Sequence, residues 1–387
     1  MHYLLARIST YIRTLVHPAT PLVEVGISRE ALLHNFRTYQ AAYPGIRLAP
    51  VLKSNAYGHD IGLVARLLDR EPIAFFMVDS YYEARRLRSA GIRSRIVVMG
   101  YTRPEDIKAS LLPHVDFAIT DIEQLRSLAA SARGRIPLHL KLDTGMHRQG
   151  IQEADLDEAL TLLSTARHLK LVGICSHFAD ADTDGSRHAA EQLSAWKRMK
   201  ARVEEVFPQL PYRHFAATKG MRFAKEADTT VARLGIGLYG FDTAPGGTNE
   251  LKPVLELRSI IGELRTVPAG ESVGYNATWT AQAPTTVATI PAGYYEGIDR
   301  RLSNKGHVLV RDIVCPIIGR TSMNMISVDV SQVPEVAIGD PVTLISRTPS
   351  APNSIPAFAT LVSTPEYRES EYVLLTHIPP HLRRVLD

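Results

Sequence analysis

Residues 136–178, "IPLHLKLDTGMHRQGIQEADLDEALTLLSTARHLKLVGICSHF", contain two apolar runs on either side of a longer amphipathic one. IPLHLKLD reads as a strand, ADLDEALTLLSTARHL as a helix and LKLVGICSHF as the next strand. Two parallel strands need such a crossover, because the chain must return to the same edge before it can pair again. The same rhythm runs from about residue 22 to 240. Further strand candidates are IRLAPVLK, AFFMVDS, RIVVMGY, VDFAITD, YRHFAAT and TVARLGIGLYG. Helical patterns such as YYEARRLRSAG and IEQLRSLAASA lie between them. In AAEQLSAWKRMKARVEEVF, Leu193, Trp196, Val203 and Phe207 mark one face at helical spacing and read as core. Eight strand–helix repeats over some two hundred residues favour a (β/α)8 TIM-type barrel over a doubly wound sheet. No G-x-G-x-x-G follows the first strand, which weakens a dinucleotide-binding alternative.

The pattern changes after the turn-rich FDTAPGG. From residue 251 strand-like runs separated by Gly and Pro dominate: VLELRSIIGELRTV, TTVATIPA, HVLVRDIVCPIIG, MISVDV and PVTLIS. Helical periodicity returns only at EYVLLTHI. The expected organisation is an N-terminal extension over 1–21 forming a docking helix, a barrel over 22–245 and a mostly-β domain over 246–387.

Composition narrows the function. The net charge of +4 arises from 44 basic and 40 acidic residues, too balanced for a nucleic-acid surface. The two cysteines, Cys175 and Cys315, sit in apolar runs and read as core filler without a disulfide framework. No metal-type Cys/His spacing occurs, and no run is apolar for long enough to span a bilayer. The basic N-terminus has neither an uninterrupted apolar core nor a small-residue cleavage site, so a cytoplasmic protein is expected.

In a barrel of this kind chemistry sits where strands end. Polar residues gather there: Lys53 in "VLKSNAYGHD", Arg148 in "KLDTGMHRQG", His177 in "SHFADAD", Thr218, and Arg233 with Gly235 and Gly237 in "RLGIGLYG". One such residue means little, but several at one mouth point to a site. The glycines suit a backbone cradle for phosphate.

These motifs, followed by "GESVGYNATW", "AGYYEGIDRRLSNKG" and "GRTSMNMISVDV", resemble in order the motifs of alanine racemases, pyridoxal-phosphate enzymes of fold type III. The resemblance runs from about residue 22 to 345. It implies a barrel joined to a β domain, a small amino-acid substrate and a homodimer with shared sites. Lys53 would form the Schiff base with pyridoxal 5'-phosphate and act as one base, and Tyr275 from a partner subunit would be the base on the opposite face. Arg233 would face the pyridine nitrogen, with His177 beside it. Tyr57, Thr218, Gly235 and Ile236 match phosphate contacts. Arg148, Tyr294 and Met323 match substrate positions. Lys141 matches a lysine that is carbamylated in many relatives, a salt bridge to Asp143 being the alternative.

Some positions depart from the pattern. Asn324 stands where an aspartate is usual, Ala217 where an asparagine precedes Thr218, and Leu234 where a proline follows Arg233. Pro380 falls where a phosphate-binding tyrosine is often found, leaving His377 or a water to substitute. The competing readings are a racemase for serine or another amino acid, a fold type III decarboxylase of basic amino acids, and a pyridoxal-phosphate carrier without catalysis. No Gly-Gly-Gly phosphate loop supports the decarboxylase, and the β domain with Tyr275 counts against the carrier.

Overall fold

The computed structural model describes residues 20–131, 134–242 and 250–387. The expected docking helix, but for its last two residues, and the expected boundary near 245 lie outside them. The chain forms two compact units. One comprises Ile27–Leu255 with Ser370–His377 and Leu386–Asp387. The other comprises Glu256–Glu369, Ile378–Val385 and residues 20–26.

The first strand, β1 (Glu24–Ile27), belongs to the sheet of the second unit. The first unit is built on β2 (Arg47–Pro50), β3 (Phe76–Val78), β4 (Ile96–Val98), β5 (Val115–Ile119), β6 (Ile136–Lys141), β7 (Leu169–Cys175), β8 (Tyr212–His214) and β9 (Val231–Leu234). Strands β3 to β8 pair in parallel and in chain order. β2 pairs in parallel with β9, from Arg47 opposite Val231 to Pro50 opposite Leu234. Single bridges from Val51 to Met77 and from Ala217 to Arg233 complete the ring. The strands are nearly continuous apolar runs because parallel strands are covered on both faces; β3 and β4 are buried throughout. This is the expected barrel.

Outer helices cover it, and their ends follow from local chemistry. Ser80 and Glu83 form a capping box at the start of Tyr81–Ser89. Helix Arg187–Val206 buries Leu193, Trp196, Met199 and Val203, and the Trp196 indole N–H donates to the Ala227 carbonyl at 2.8 Å. Phe207, the last of the expected stripe, caps that helix and is only partly buried.

The interior also holds polar groups that periodicity does not announce. His139 Nδ1 and His214 Nε2 are 2.8 Å apart, and His139 Nε2 lies 3.3 Å from Asp116. Gly173 makes room for this pair, since a Cβ there would sit 2.6 Å from His139 Nδ1.

The second unit is strand-rich, as expected. Its strands are β10 (Leu255–Ile260), β11 (Glu263–Val267), β12 (Ser272–Val273), β13 (Trp279–Thr280) and β14 (Thr285–Ile290). They continue with β15 (His307–Val310), β16 (Ile313–Ile318), β17 (Ile326–Asp329), β18 (Pro341–Ile345) and β19 (Arg383–Leu386). One sheet runs in the order β11-β14-β17-β16-β15-β18-β10-β1-β19.

Three local expectations change. VLELRSIIGELRTV is not one strand but β10 and β11, which pair with β18 and β14 respectively. RLGIGLYG stays extended only to Leu234 and then turns as a 3-10 helix over Ile236–Tyr239. A helix over Ile355–Val362, capped by the Ser354 side chain, already precedes EYVLLTHI, where helical periodicity was expected to return. Two turns of almost wholly apolar sequence carry too little periodicity to be told from a strand.

Candidate active site

The site begins with an unusual turn. After β2, residues Ser54, Asn55, Ala56 and Tyr57 all take positive φ of 53–55°. A left-handed conformation costs roughly 1–2 kcal/mol per non-glycine residue, so four in succession require support. The Ala56 N–H donates to the Leu52 carbonyl at 2.8 Å, and the Ser54 N–H donates to Glu83 Oε1 at 2.7 Å. Glu83, already fixed by its capping box, thereby anchors the turn. Its effect is to bring Lys53 and Tyr57 to the same cleft. Ser54 is exposed, so Ser54→Gly should relieve strain without opening a cavity, stabilising by at most about 1 kcal/mol. Urea denaturation tests this, and a destabilised variant would contradict it.

The cleft encloses about 430 Å³. Lys53, Tyr57, Lys141, Arg148, His177, Thr218, Arg233 and Gly235 all line it. The structure thus brings together the polar strand-end residues that the sequence marks. Ile236 does not line it; the residue is buried at the start of the 3-10 turn.

Arg233 is the deepest charge. It is 7 % exposed, and its Nη2 donates to the carbonyls of Ser176 at 2.6 Å and Phe215 at 2.9 Å. Nη2 also lies 2.9 Å from His177 Nδ1. Burial first, and then the Arg233 and Arg148 charges, hold the His177 pKa well below its usual value, so the neutral ring accepts from Arg233. None of these partners is a carboxylate. A buried guanidinium balanced only by dipoles suits an acceptor or anionic group brought by a ligand.

Lys141 does not pair with Asp143. Its Nζ donates to Gln149 Oε1 at 2.9 Å, whereas Asp143 Oδ1 accepts the N–H groups of Gly145, Met146 and His147. Burial, assisted by Arg233 and Arg148, lowers the Lys141 pKa. Lys219 also lines the cleft, and its partner Asp182 neutralises it. Among the described lining residues, Lys53, Lys141, Arg148 and Arg233 are opposed only by Asp180, which accepts from Ser186 and Thr183. The cleft is cationic.

At its other end lie hydroxyl groups. Thr218 Oγ1 accepts from the Gly235 and Gly237 N–H groups at 3.1 and 3.3 Å. A Cβ on Gly235 would approach the Tyr57 hydroxyl to 3.1 Å, so this position has to stay open. The rings of Tyr57 and Tyr372 are 5.7 Å apart, and burial raises both phenol pKa values, leaving two neutral donors. Tyr372 is the residue that sequence reasoning missed. Pro380 and His377 do not line the cleft, whereas Tyr372, in the helix Glu371–His377, does. The signal was present in the aromatic that opens EYVLLTHI. Cys175, expected as filler, is buried but also lines the cleft. His59 is fully buried against Tyr239, and Asp60 caps the helix Ile61–Leu68.

Tyr275, Tyr294 and Met323 belong to the strand-rich unit and are 69 %, 42 % and 55 % exposed.

A positive cleft with a lysine at one side, a buried arginine below and a hydroxyl-lined recess fits pyridoxal phosphate in its donor set. Comparison with known proteins agrees. The family described as alanine racemase, N-terminal domain, matches residues 27–243, and alanine racemase, C-terminal domain, matches residues 254–386. The chain belongs to the alanine racemase family. An alanine racemase of Sorangium cellulosum is 37 % identical over 324 residues, covering 81 % of this chain and 86 % of that one. The crystal structure of the alanine racemase from D-cycloserine-producing Streptomyces lavendulae is similar with a TM-score of 0.85 at 29 % identity. It covers 95 % of this chain and 98 % of that one. The alanine racemase of Bartonella henselae, with covalently bound pyridoxal phosphate, shares the fold with a TM-score of 0.81 at 24 % identity. The match covers 95 % of this chain and all of that one. Alanine racemases are pyridoxal-phosphate enzymes, and among the described residues no helix is long and apolar enough to cross a membrane.

Proposed function

We propose that this chain is a cytoplasmic, homodimeric, pyridoxal-phosphate-dependent alanine racemase that interconverts L- and D-alanine. The observation that carries the reading is Arg233: a buried guanidinium without a carboxylate partner, facing the same cleft as Lys53, in a chain matched along nearly its whole length by alanine racemases.

Lys53 Nζ would hold the cofactor covalently. When bound, pyridoxal phosphate supplies an electron sink that acidifies the substrate Cα–H. Arg233 would donate to the ring nitrogen without surrendering its own proton. Tyr57, Thr218, Gly235 and Tyr372 would hold the phosphate, the expected Ile236 contact having no place in the cleft lining. Arg148 holds an anionic oxygen of substrate or cofactor through its forked donors. The amine of Lys53 moves the Cα proton on one face, and Tyr275 of a second subunit moves it on the other. Tyr294 and the Met323 main chain line the substrate's side of the site. Ala217, where an asparagine is usual, leaves one polar contact fewer near the ring.

Lys141 is the proposed carbamate. Its lowered pKa enriches the neutral amine, the form that adds carbon dioxide, and the product would place an anion beside Arg148. In ¹³C-bicarbonate the protein should show a carbamate ¹³C resonance that Lys141→Ala removes. The same spectrum in both proteins would refute it.

The deciding experiment loads the protein with pyridoxal phosphate and follows deuterium uptake at Cα across a panel of L-amino acids. Exchange with D-alanine formation is expected. Faster turnover of serine, or carbon dioxide release from basic amino acids, would overturn the substrate or the reaction. Binding without turnover would leave a carrier.

A further inference from the structure

Two loops of the strand-rich unit are laced together more tightly than their exposure suggests. The Tyr294 N–H donates to the Ser322 carbonyl at 3.1 Å and the Tyr295 N–H to the Met323 carbonyl at 2.9 Å. Gly293 permits this approach, because a Cβ there would lie 2.2 Å from the Ser322 oxygen. Beneath the crossing sits Glu296, 8 % exposed. Its Oε2 accepts the Gly293 N–H at 2.8 Å, and its Oε1 accepts from Asn324 Nδ2 at 2.7 Å. No cation pairs with Glu296 among the described residues. The carboxylate is satisfied by one amide from each loop, so it ties residues 293–296 to residues 322–325.

We propose that Glu296 and Asn324 are a positioning pair that fixes the Met323 peptide and the Tyr294 ring for reception of the substrate carboxylate. The role assigned to Met323 and Tyr294 rests on the function proposed above. The pair itself rests on charge and donor matching. Asn324 has to offer N–H toward Glu296. An aspartate there would set two carboxylates at hydrogen-bond distance and leave Glu296 short of a donor. A glutamine at 296 keeps a complete set once the Asn324 amide turns over, its oxygen accepting from the Gly293 N–H and its nitrogen donating to Asn324 Oδ1, so this exchange is the mild one. Exchanging both restores a complete set: the new amide at position 296 accepts from the Gly293 N–H through its oxygen and donates through its nitrogen to the new carboxylate at position 324.

The test compares Asn324→Asp, Glu296→Gln and the double exchange with the wild-type holoenzyme. Asn324→Asp should raise KM for both alanine enantiomers roughly tenfold, the cost of one unmet buried partner, with kcat within about threefold of wild type, and Glu296→Gln should fall between it and wild type. The double exchange should return KM to within about threefold. Amide hydrogen exchange at Tyr294 and Tyr295 supplies a second readout that needs no activity: faster in Asn324→Asp, and restored in the double. A double exchange no better than Asn324→Asp, kcat falling while KM stays constant, or wild-type amide exchange in Asn324→Asp would overturn the pair. Failure of the wild type to turn over alanine would overturn the functional reading instead, leaving amide exchange to decide the pair.

Discussion

Lys53→Ala is expected to lower racemisation by about 10⁴-fold or more and to abolish the borohydride-trapped cofactor adduct. The lysine has two duties, covalent attachment and proton transfer, and general-base catalysis alone contributes roughly 10²–10⁴-fold. The fold should be unharmed. Lys53 is only partly buried, and the backbone bonds of the 54–57 turn run from Ala56 to Leu52 and from Ser54 to Glu83 without using its side chain. Arg233, Thr218 and Tyr57 remain, so the variant should still take up pyridoxal phosphate, more weakly and with the absorption of the free aldehyde. A borohydride-stable adduct retained on Lys141 or Lys219 would sink the assignment, since both also line the cleft.

Tyr275→Phe is expected to lower kcat for racemisation by roughly 10²–10⁴-fold, the ordinary worth of one general base. The loss has to be equal in both directions for kcat/KM, because the enzyme cannot shift an equilibrium constant of one. The informative measurement is exchange of the Cα proton with solvent without inversion. The enantiomer whose proton faces Lys53 should continue to exchange, while the other should stop. Equal exchange of both enantiomers would remove Tyr275 from the role of base. Its 69 % exposure in one chain would suit donation to a second subunit as proposed, and sedimentation of the same variant separates loss of a base from loss of assembly.

Much of the barrel was legible because its signal is local. Short apolar runs alternating with amphipathic ones announce strand and helix, and polar residues at strand ends mark the mouth. What escaped the sequence depends on distance or handedness. Tyr372 enters the cleft from beyond the strand-rich unit, so no periodicity within the barrel could place it. The partner of Lys141 is Gln149 rather than Asp143, because Asp143 is occupied by three backbone N–H groups of its own turn. The left-handed course of residues 54–57 contradicts the preference of each residue taken singly; only the Glu83 anchor and the surrounding packing explain it. The His139–His214 pair was equally hidden, since neither histidine carries a spacing signal.

The ring closes where β2 meets β9, and this seam has a kinetic meaning. Lys53 follows the first strand of the barrel and Arg233 lies in the last, so the two sides of the cleft are separated by most of the barrel's length in sequence. Pairing of such high contact order forms late and slowly. During synthesis, cofactor affinity should therefore arise in one step, after Val231–Leu234 has emerged and docked beside Arg47–Pro50. Pyridoxal phosphate held across that seam, as proposed above, would favour the closed ring over every open intermediate by mass action and act in effect as a latch on the folded barrel.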